Sequence, residues 1–275
     1  MDPRRMCPHC RAFITIKDKV CPYCNERLEA KQSGDGNTLI AGLIPSVRFN
    51  IMIILLINFG IYLATAIWSF RAGHPNAFFD LDTRTLVELG AKFNPLIAMG
   101  EWWRLVTAGF LHGGLMHIAS NAMGLTILGP DVEETYGTAR MLVIYFVATV
   151  VGFYASAVAS SAVSVGASAA VFGLLGAMIA DGVRRGHGIN FRSGYVLWAA
   201  INLVIGFAPI AGMNIDNAAH IGGLAAGFGV GYFAGAPGRV RSPIEYLWKF
   251  AAFLCVLITA SCFLMMYLWF RRNVG

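Results

Sequence analysis

Two residues with the chemistry of a hydrolase lie near the starts of two apolar segments. Ser168 stands in the run GASA, and His220 stands in the run AHIGG. Segments two apart in a membrane chain cross the bilayer in the same direction, so both side chains reach a similar depth near the same face. A serine hydroxyl becomes a nucleophile when an imidazole takes its proton. The two residues therefore predict a catalytic Ser-His dyad.

Each residue taken alone also has a simpler interpretation. Serine in a membrane helix commonly hydrogen-bonds to a carbonyl of its own helix, and an intramembrane histidine also serves as a proton relay or a metal ligand. A transporter or proton channel using His220 and His117 would require inverted repeats and buried carboxylates, and the sequence shows neither. Asp216, four residues before His220, is expected in an outer loop, so no third member of a triad is predicted.

His117 and Asn121 are four residues apart and project from one face of a helix. Imidazole and carboxamide groups both donate hydrogen bonds, and donors fixed in a dry pocket stabilise a developing oxyanion. The alternative is a membrane-interface patch in which both side chains satisfy neighbouring backbone. Phe172, one turn after Ser168, and Gly166 are expected to line the substrate pocket.

The composition predicts that lipid surrounds most of the chain. Of 275 residues, 57% are hydrophobic and only 13% are charged. About 20 apolar residues span a bilayer core of roughly 30 Å. The candidate spans are Phe49–Ser69, Leu115–Leu128, Met141–Ala159, Ser168–Gly182, Tyr195–Ile210, Asn217–Gly235 and Tyr246–Phe270. We therefore expect a multi-pass, all-α membrane protein.

Lysine and arginine are more frequent in the segments that lie on the inner side if the N-terminus is inside. The expected location is a plasma membrane of bacterial type, with the N-terminus in the cytoplasm. Basic cytoplasmic loops beside anionic lipid account for the net charge of +6, so no nucleic-acid partner is expected. No cleavable signal peptide is visible, and the first span is expected to direct insertion.

The N-terminus carries two CxxC pairs separated by ten residues, a spacing that lets four thiolates surround one zinc ion. The predicted ligands are Cys7, Cys10, Cys21 and Cys24. A redox dithiol pair or two disulfides is the alternative, but a reducing cytoplasm favours zinc. The metal would be structural, with no cofactor needed for catalysis. A zinc ribbon here could bind a cytoplasmic partner, tether the enzyme or protect the N-terminus.

The glycines after His220 recur at every fourth position, which lets two helix backbones approach closely. The helix of Ser168, also rich in small residues, is the expected partner. Composition predicts the following domains: a zinc-ribbon-like domain at 1–30, a linker at 31–48, a catalytic membrane domain at 49–235, and a loop with an additional transmembrane helix at 236–275.

The combined motifs resemble the rhomboid family of intramembrane serine proteases over roughly 49–235. The matching residues are Trp103-Arg104, His117 with Asn121, Gly166 with Ser168, and Ala219-His220 with the glycines that follow. The resemblance implies a six-helix bundle, here with one added C-terminal helix, in which Ser168 attacks a peptide carbonyl and His220 acts as base and then acid. His117, Asn121 and the Ser168 amide would bind the oxyanion, and Arg104 would be structural.

This chain departs from the family pattern at two positions. Ala169 replaces the glycine that usually follows the serine, and Phe172 replaces a tyrosine. The extra methyl could crowd the turn, so the alternative function is a catalytically inactive rhomboid-like protein that binds membrane helices. The primary prediction is hydrolysis of peptide bonds in or near transmembrane segments of membrane-protein substrates.

Overall fold

The computed structural model describes residues 4–7, 12–15, 18, 20–24, 49–186, 194–207, 215–235, 237 and 242–274. The chain divides into two compact units, Met1–Ser46 and Val47–Gly275. The predicted linker at 31–48 lies outside the described residues.

The first unit contains a small antiparallel sheet of two strands, β1 (Arg4–Met6) and β2 (Phe13–Thr15). Directly after β1, the Cys7 amide donates a hydrogen bond to the Ala12 carbonyl at 2.9 Å. The bond brings the chain at Ala12 back to Cys7. With so few residues to bury, this unit packs mainly around its cysteines.

The second unit consists of helices joined by turns and loops in its described residues. Its helices are α1 (Phe49–Arg71), α2 (Thr83–Glu88), α3 (Asn94–Ala98), α4 (Arg104–Thr107), α5 (Leu115–Ala159), α6 (Ser168–Arg184), α7 (Tyr195–Phe207), α8 (Asn217–Ala234) and α9 (Pro243–Asn273). A short 3-10 turn follows α4 at Ala108–Phe110. Three short helices thus lie in the connection between α1 and α5.

The helices α1, α5 and α9 are long and apolar enough to cross a membrane, with mean hydropathies of 2.2, 2.1 and 2.3 over their most apolar windows. The helix α7 is a shorter apolar helix. Along α1, the buried residues recur every three or four positions, while large apolar side chains on its other faces are exposed. The protein is an all-α, multi-pass membrane protein with a small N-terminal sheet.

A sharp bend divides α5 into two helical arms. Gly137 has φ +76° and ψ 160°, a backbone conformation that side-chain-bearing residues rarely adopt. The bend turns the second arm, which ends at Ala159, away from the direction of the first. The second and third predicted spans are therefore consecutive arms of one helical element.

The most extensive helix contact joins α6 to α8 through their backbones. A β-carbon added to Gly227 would overlap the carbonyl oxygen of Gly173, so a glycine is required for this approach. The contact pairs are Ala169 with Gly223, Gly173 with Gly227, and Ala177 with Gly231. Because residue numbers rise together along both helices, α6 and α8 run parallel, as the sequence predicted.

Two polar contacts attach α9 to the other helices. The buried guanidinium of Arg140 on α5 forms two hydrogen bonds of 2.7 Å with Glu245 in the first turn of α9. Towards the other end of α9, the Trp269 ring lies 4.9 Å from the guanidinium carbon of Arg104. Trp103 covers the same cation at 4.5 Å. The C-terminal helix is therefore attached at both of its ends.

Candidate active site

Ser168 is the first residue of α6 and is half-buried. Ala167 before it provides no side-chain hydrogen bond to the start of the helix. The first backbone N–H groups of an α-helix have no acceptor within the helix, so those at the start of α6 can donate to another acceptor near Ser168. The fold thus places the Ser168 hydroxyl beside backbone donors at the start of α6.

His220 lies in the first turn of α8, with 7% of its surface exposed. Its imidazole stacks on the Phe172 ring, with centroids 4.2 Å apart and an angle of 11° between the planes. Phe172 lies one helical turn after Ser168, on the same face of α6. The stack therefore holds the imidazole against the face of α6 that carries the serine.

The described hydrogen bonds include none between Ser168 and His220. The buried Nδ1 of His220 has no hydrogen-bond partner among the described residues. Catalytic hydrogen bonds are often long in the absence of substrate and tighten in the reacting complex. Direct proton transfer from Ser168 to His220 is therefore a proposal and not an observed contact.

Gly166 brings the two other predicted donors close to the serine. Its φ of +126° turns the chain sharply just before α6, and its amide donates to the Ala108 carbonyl at 2.9 Å. A β-carbon at Gly166 would lie 2.6 Å from His117 Nε2 and 3.7 Å from Asn121 Nδ2. The structure therefore brings Gly166, His117 and Asn121 together, two residues before Ser168.

The hydrogen bonding of His117 determines which ring nitrogen carries the proton in the neutral imidazole. The Gly113 amide donates to His117 Nδ1 at 3.3 Å, so Nδ1 is an acceptor. The neutral ring then carries its hydrogen on Nε2, the nitrogen that faces Gly166. Asn121 Nδ2 donates one hydrogen to the His117 carbonyl at 2.9 Å and retains a second. Both side chains have a donor available for an oxyanion.

Ala169, one of the two departures from the expected pattern, is fully buried. Its methyl lies 2.8 Å from the position that a β-carbon on Gly152 would occupy. The absence of a side chain at Gly152 on α5 thus makes room for the methyl of Ala169. The extra methyl therefore has a matching space in a neighbouring helix.

Arg104 is fully buried and holds the connection between α1 and α5 together. Its guanidinium donates to the carbonyls of Val87 and Ala91 at 2.7 and 3.1 Å, and to the Glu101 carboxylate at 2.6 Å. These partners account for a structural arginine. None of these three partners is among the residues described above near Ser168.

Three cysteines of the N-terminal unit could bind a metal ion. The sulfurs of Cys7, Cys21 and Cys24 all lie within 4.8 Å of one another, and those of Cys7 and Cys24 are 3.8 Å apart. Tetrahedral zinc with bonds of about 2.3 Å separates two thiolates by about 3.8 Å, whereas a disulfide requires about 2.0 Å. The donor set fits zinc. Cys10, the fourth predicted ligand, lies outside the described residues.

Two charged residues border the site; sequence reasoning did not identify Lys92, and it considered Asp216 only as a third member of a triad. Lys92, between α2 and α3, is fully buried, and Asp216 accepts a hydrogen bond from the Ala219 amide at the start of α8. A lone lysine in an apolar run, and an aspartate just before a helix, were the available signals. Their partners are distant in sequence, which is why neither signal was informative alone.

Comparison with known proteins identifies similar sequences in several organisms. The family model of the Rhomboid domain matches residues 99–237. Rhomboid protease GluP of Bacillus subtilis (strain 168) is 45% identical over 158 residues, which cover 57% of this chain and 31% of that protein. Rhomboid-like protease 2 of Toxoplasma gondii is 35% identical over 205 residues, which cover 73% of this chain and 71% of that protein. For RHOMBOID-like protein 5 of Arabidopsis thaliana, the identity is 34% over 171 residues, or 60% of this chain and 54% of that protein.

Proposed function

Because the chain belongs to the rhomboid family and its homologues include rhomboid proteases, we propose that it is an intramembrane serine protease with Ser168 and His220 as its dyad. The observation that carries the proposal is the stack of His220 on Phe172, one turn after the serine. Parallel packing of α6 and α8 places both residues at the same end of the helix pair.

The proposed reaction has two stages. Ser168 Oγ attacks the carbonyl carbon of the scissile peptide bond as His220 takes the hydroxyl proton. His220 then gives that proton to the leaving nitrogen, the C–N bond breaks, and the acyl group remains on the serine. A water molecule attacks the ester with His220 as base, and the proton returns to Ser168 as the acid product leaves.

Charge develops on the substrate carbonyl oxygen in both stages, and three groups are proposed to stabilise it. These are Nε2–H of His117, the second amide hydrogen of Asn121, and the N–H of Ser168. Support comes from the approach of both side chains to Gly166. Fixed donors in a site with little water stabilise an oxyanion more strongly than water does.

The proposed substrates are membrane proteins whose transmembrane segments can unwind locally. A peptide bond within an intact helix is protected by its hydrogen bonds, so helix-breaking residues near the cleavage site are expected in substrates. Phe172 and Gly166 are proposed to border the pocket that receives the unwound strand.

We propose six spans, supplied by α1, the two arms of α5, α6, α7 and α8, followed by α9 as a seventh span. The N-terminus would be in the cytoplasm, in a plasma membrane of bacterial type.

The N-terminal unit is proposed to be a zinc ribbon within residues 1–30, with Cys10 completing the set of Cys7, Cys21 and Cys24. The sulfur spacing supports this proposal. The ribbon could recognise a cytoplasmic partner. Purified full-length protein should contain one zinc per chain, and Cys24→Ser should lower that content, whereas Cys255→Ser on α9 should not. Equal zinc content in both variants would contradict the proposed ligand set.

The decisive experiment is cleavage of a single-span membrane reporter by the full-length protein in lipid vesicles. Ser168→Ala and His220→Ala should each abolish cleavage, while Ser261→Ala should have no effect. Ser261 is a suitable control because its hydroxyl only bonds the Leu257 carbonyl of its own helix on exposed α9. Turnover by the Ser168 variant equal to that of wild type would overturn the proposal.

Labelling with a fluorophosphonate, which reacts with activated serines, tests the alternative of a silent protein that only binds helices. Wild type should be labelled and Ser168→Ala should not. The room that Gly152 leaves for Ala169 supports the active form. An unlabelled wild type without reporter cleavage would support the silent alternative instead.

A further inference from the structure

Lys92 fixes the segment that leads from α5 into Ser168. Its ammonium donates to the carbonyls of Ser160 and Ala162 at 2.6 and 2.9 Å. Its backbone pairs with Ser164 in both directions, at 3.0 and 3.2 Å. A buried lysine that binds two carbonyls and pairs through its own backbone leaves this segment little freedom.

Asp216 fixes the first turn of α8, which carries His220. One carboxylate oxygen accepts a hydrogen bond from the Ala219 amide at 3.0 Å, and the other accepts one from the Ser156 hydroxyl near the end of α5. The Asp216 carbonyl accepts the His220 amide at 3.1 Å. The helix start that carries the imidazole is thereby attached to α5.

The electrostatics of the two groups are linked. Burial alone would raise the pKa of Asp216, but hydrogen bonds from Ser156, Ser164 and the Ala219 amide, with the charge of Lys92, lower it below its usual value. Burial lowers the pKa of Lys92, and the charge of Asp216 opposes this effect. Ser164 thus interacts with Lys92 through its backbone and with Asp216 through its side chain.

We propose that Lys92 and Asp216 are positioning residues that hold Ser168 and His220 in register. This inference rests on the proposed function of that dyad. The serine and the imidazole lie on different helices, and each helix start is attached to the same polar cluster. That cluster consists of Lys92, Ser156, Ser164 and Asp216, together with the carbonyls at 160 and 162. It keeps the entry to α6 and the first turn of α8 at a fixed separation.

Positioning has a kinetic signature that differs from loss of folding. A displacement of about 1 Å between reacting groups can lower a rate about 100-fold without changing how substrate binds. We therefore expect kcat to fall while KM stays constant when the cluster is disturbed. Because the hydrogen-bond partners of the two side chains do not include Phe172 or Gly166, weaker substrate binding is not expected.

The test compares graded variants at Asp216 in lipid vesicles with the membrane reporter. Asp216→Ala, which removes both acceptors, should lower kcat about 10- to 100-fold with KM within about twofold of wild type. Asp216→Asn keeps an acceptor for the Ala219 amide and a polar partner for Ser156, so it should recover most of the activity. Ser156→Ala removes a single bond and provides a milder variant if Asp216→Ala does not fold.

Asp82→Ala is the matched control, because Asp82 caps α2 by accepting from the Thr85 amide at 3.0 Å and binds the Ser69 hydroxyl at 2.9 Å. It removes an equivalent aspartate cap away from the dyad and should leave kcat unchanged.

Lys92→Met should lower kcat as Asp216→Ala does. The double variant should lose less activity than the product of the two single effects.

The outcomes separate this inference from the function on which it rests. Failure of the wild type to cleave the reporter would overturn both. Cleavage by wild type, with unchanged kcat in folded Asp216→Ala and Lys92→Met, would overturn the positioning role alone. An equal loss in Asp82→Ala, or a rise in KM without a fall in kcat, would also contradict it.

Discussion

The imidazole of His220 and the ring of Phe172 stack nearly in parallel, 4.2 Å apart at an angle of 11°. This contact connects α8 to α6 one turn from the serine. On α7, Trp198 lies 6.5 Å from the same phenylalanine ring. The orientation of the proposed base therefore depends on a ring face, and the hydroxyl of a tyrosine is not needed for that contact.

Replacing Phe172 by leucine removes the stacked ring while keeping an apolar side chain. Aromatic contacts of this type contribute about 0.5–1.5 kcal/mol, so kcat for reporter cleavage should fall about 2- to 12-fold. Phe172→Tyr keeps the ring and should retain activity within about twofold. A larger loss in the tyrosine variant than in the leucine variant would show that the stack does not orient His220.

Removing the proposed oxyanion donor at Asn121 should reduce kcat without preventing folding. Loss of a single donor of this type costs about 10²- to 10³-fold in rate, so Asn121→Ala should fall in that range. Asn202→Ala is a matched control on α7. Its amide donates to the carbonyl four residues earlier at 2.8 Å, as that of Asn121 does at 2.9 Å. Similar kcat values for the two variants would contradict the oxyanion role.

A methyl added to Gly227 should destabilise the protein, because it would overlap the Gly173 carbonyl. Overpacking of this kind typically costs about 1–3 kcal/mol, and here the obstacle is backbone. Gly229 lies half a turn further along the same helix, and a β-carbon there meets nothing within 4 Å. Thermal unfolding in detergent should show a lower midpoint for Gly227→Ala and no decrease for Gly229→Ala. Equal midpoints would contradict the backbone contact between α6 and α8.

Removing Arg140 should strongly destabilise the attachment of α9. Its guanidinium is 3% exposed and bonds Glu245 twice, so Arg140→Ala leaves a carboxylate in a largely buried position. Breaking such a pair from one side costs about 3–5 kcal/mol. The pair of Arg84 with Glu88 is the comparison, because the Arg84 side chain is 87% exposed, and Arg84→Ala should cost less than about 1 kcal/mol. Chemical denaturation gives the free energy of unfolding of both variants. Comparable losses would show that the Arg140–Glu245 pair contributes no more to stability than the Arg84–Glu88 pair.

Local sequence signals were sufficient where the relevant contacts are local. The helices α6 and α8 begin at Ser168 and Asn217, the residues at which the predicted spans begin. Gly223, Gly227 and Gly231 recur at every fourth position of α8, and these glycines meet α6 as expected. Here the pattern of small residues directly reflects the distance between two backbones.

Long-range partners explain where prediction stopped short. The second predicted span ends at Leu128, yet α5 continues as a helix to Gly137, through Pro130 and several acidic residues. Glu133 in that stretch accepts hydrogen bonds from Asn50 on α1 at 2.7 Å and from Thr138 at 2.5 Å. Because Glu133 pairs with a side chain 83 residues away, its sequence neighbours alone do not indicate that it lies within a helix.

The Arg104 guanidinium contacts two indole rings, one from its own neighbour Trp103 and one from Trp269 near the end of α9. The last turns of the chain therefore stabilise a connection located between the first two long helices. A shortened protein ending before Trp269 would lose one of the two aromatic contacts of the Arg104 guanidinium. The helix α9 therefore supports the connection between α1 and α5, and a variant of this chain without α9 would lack that support.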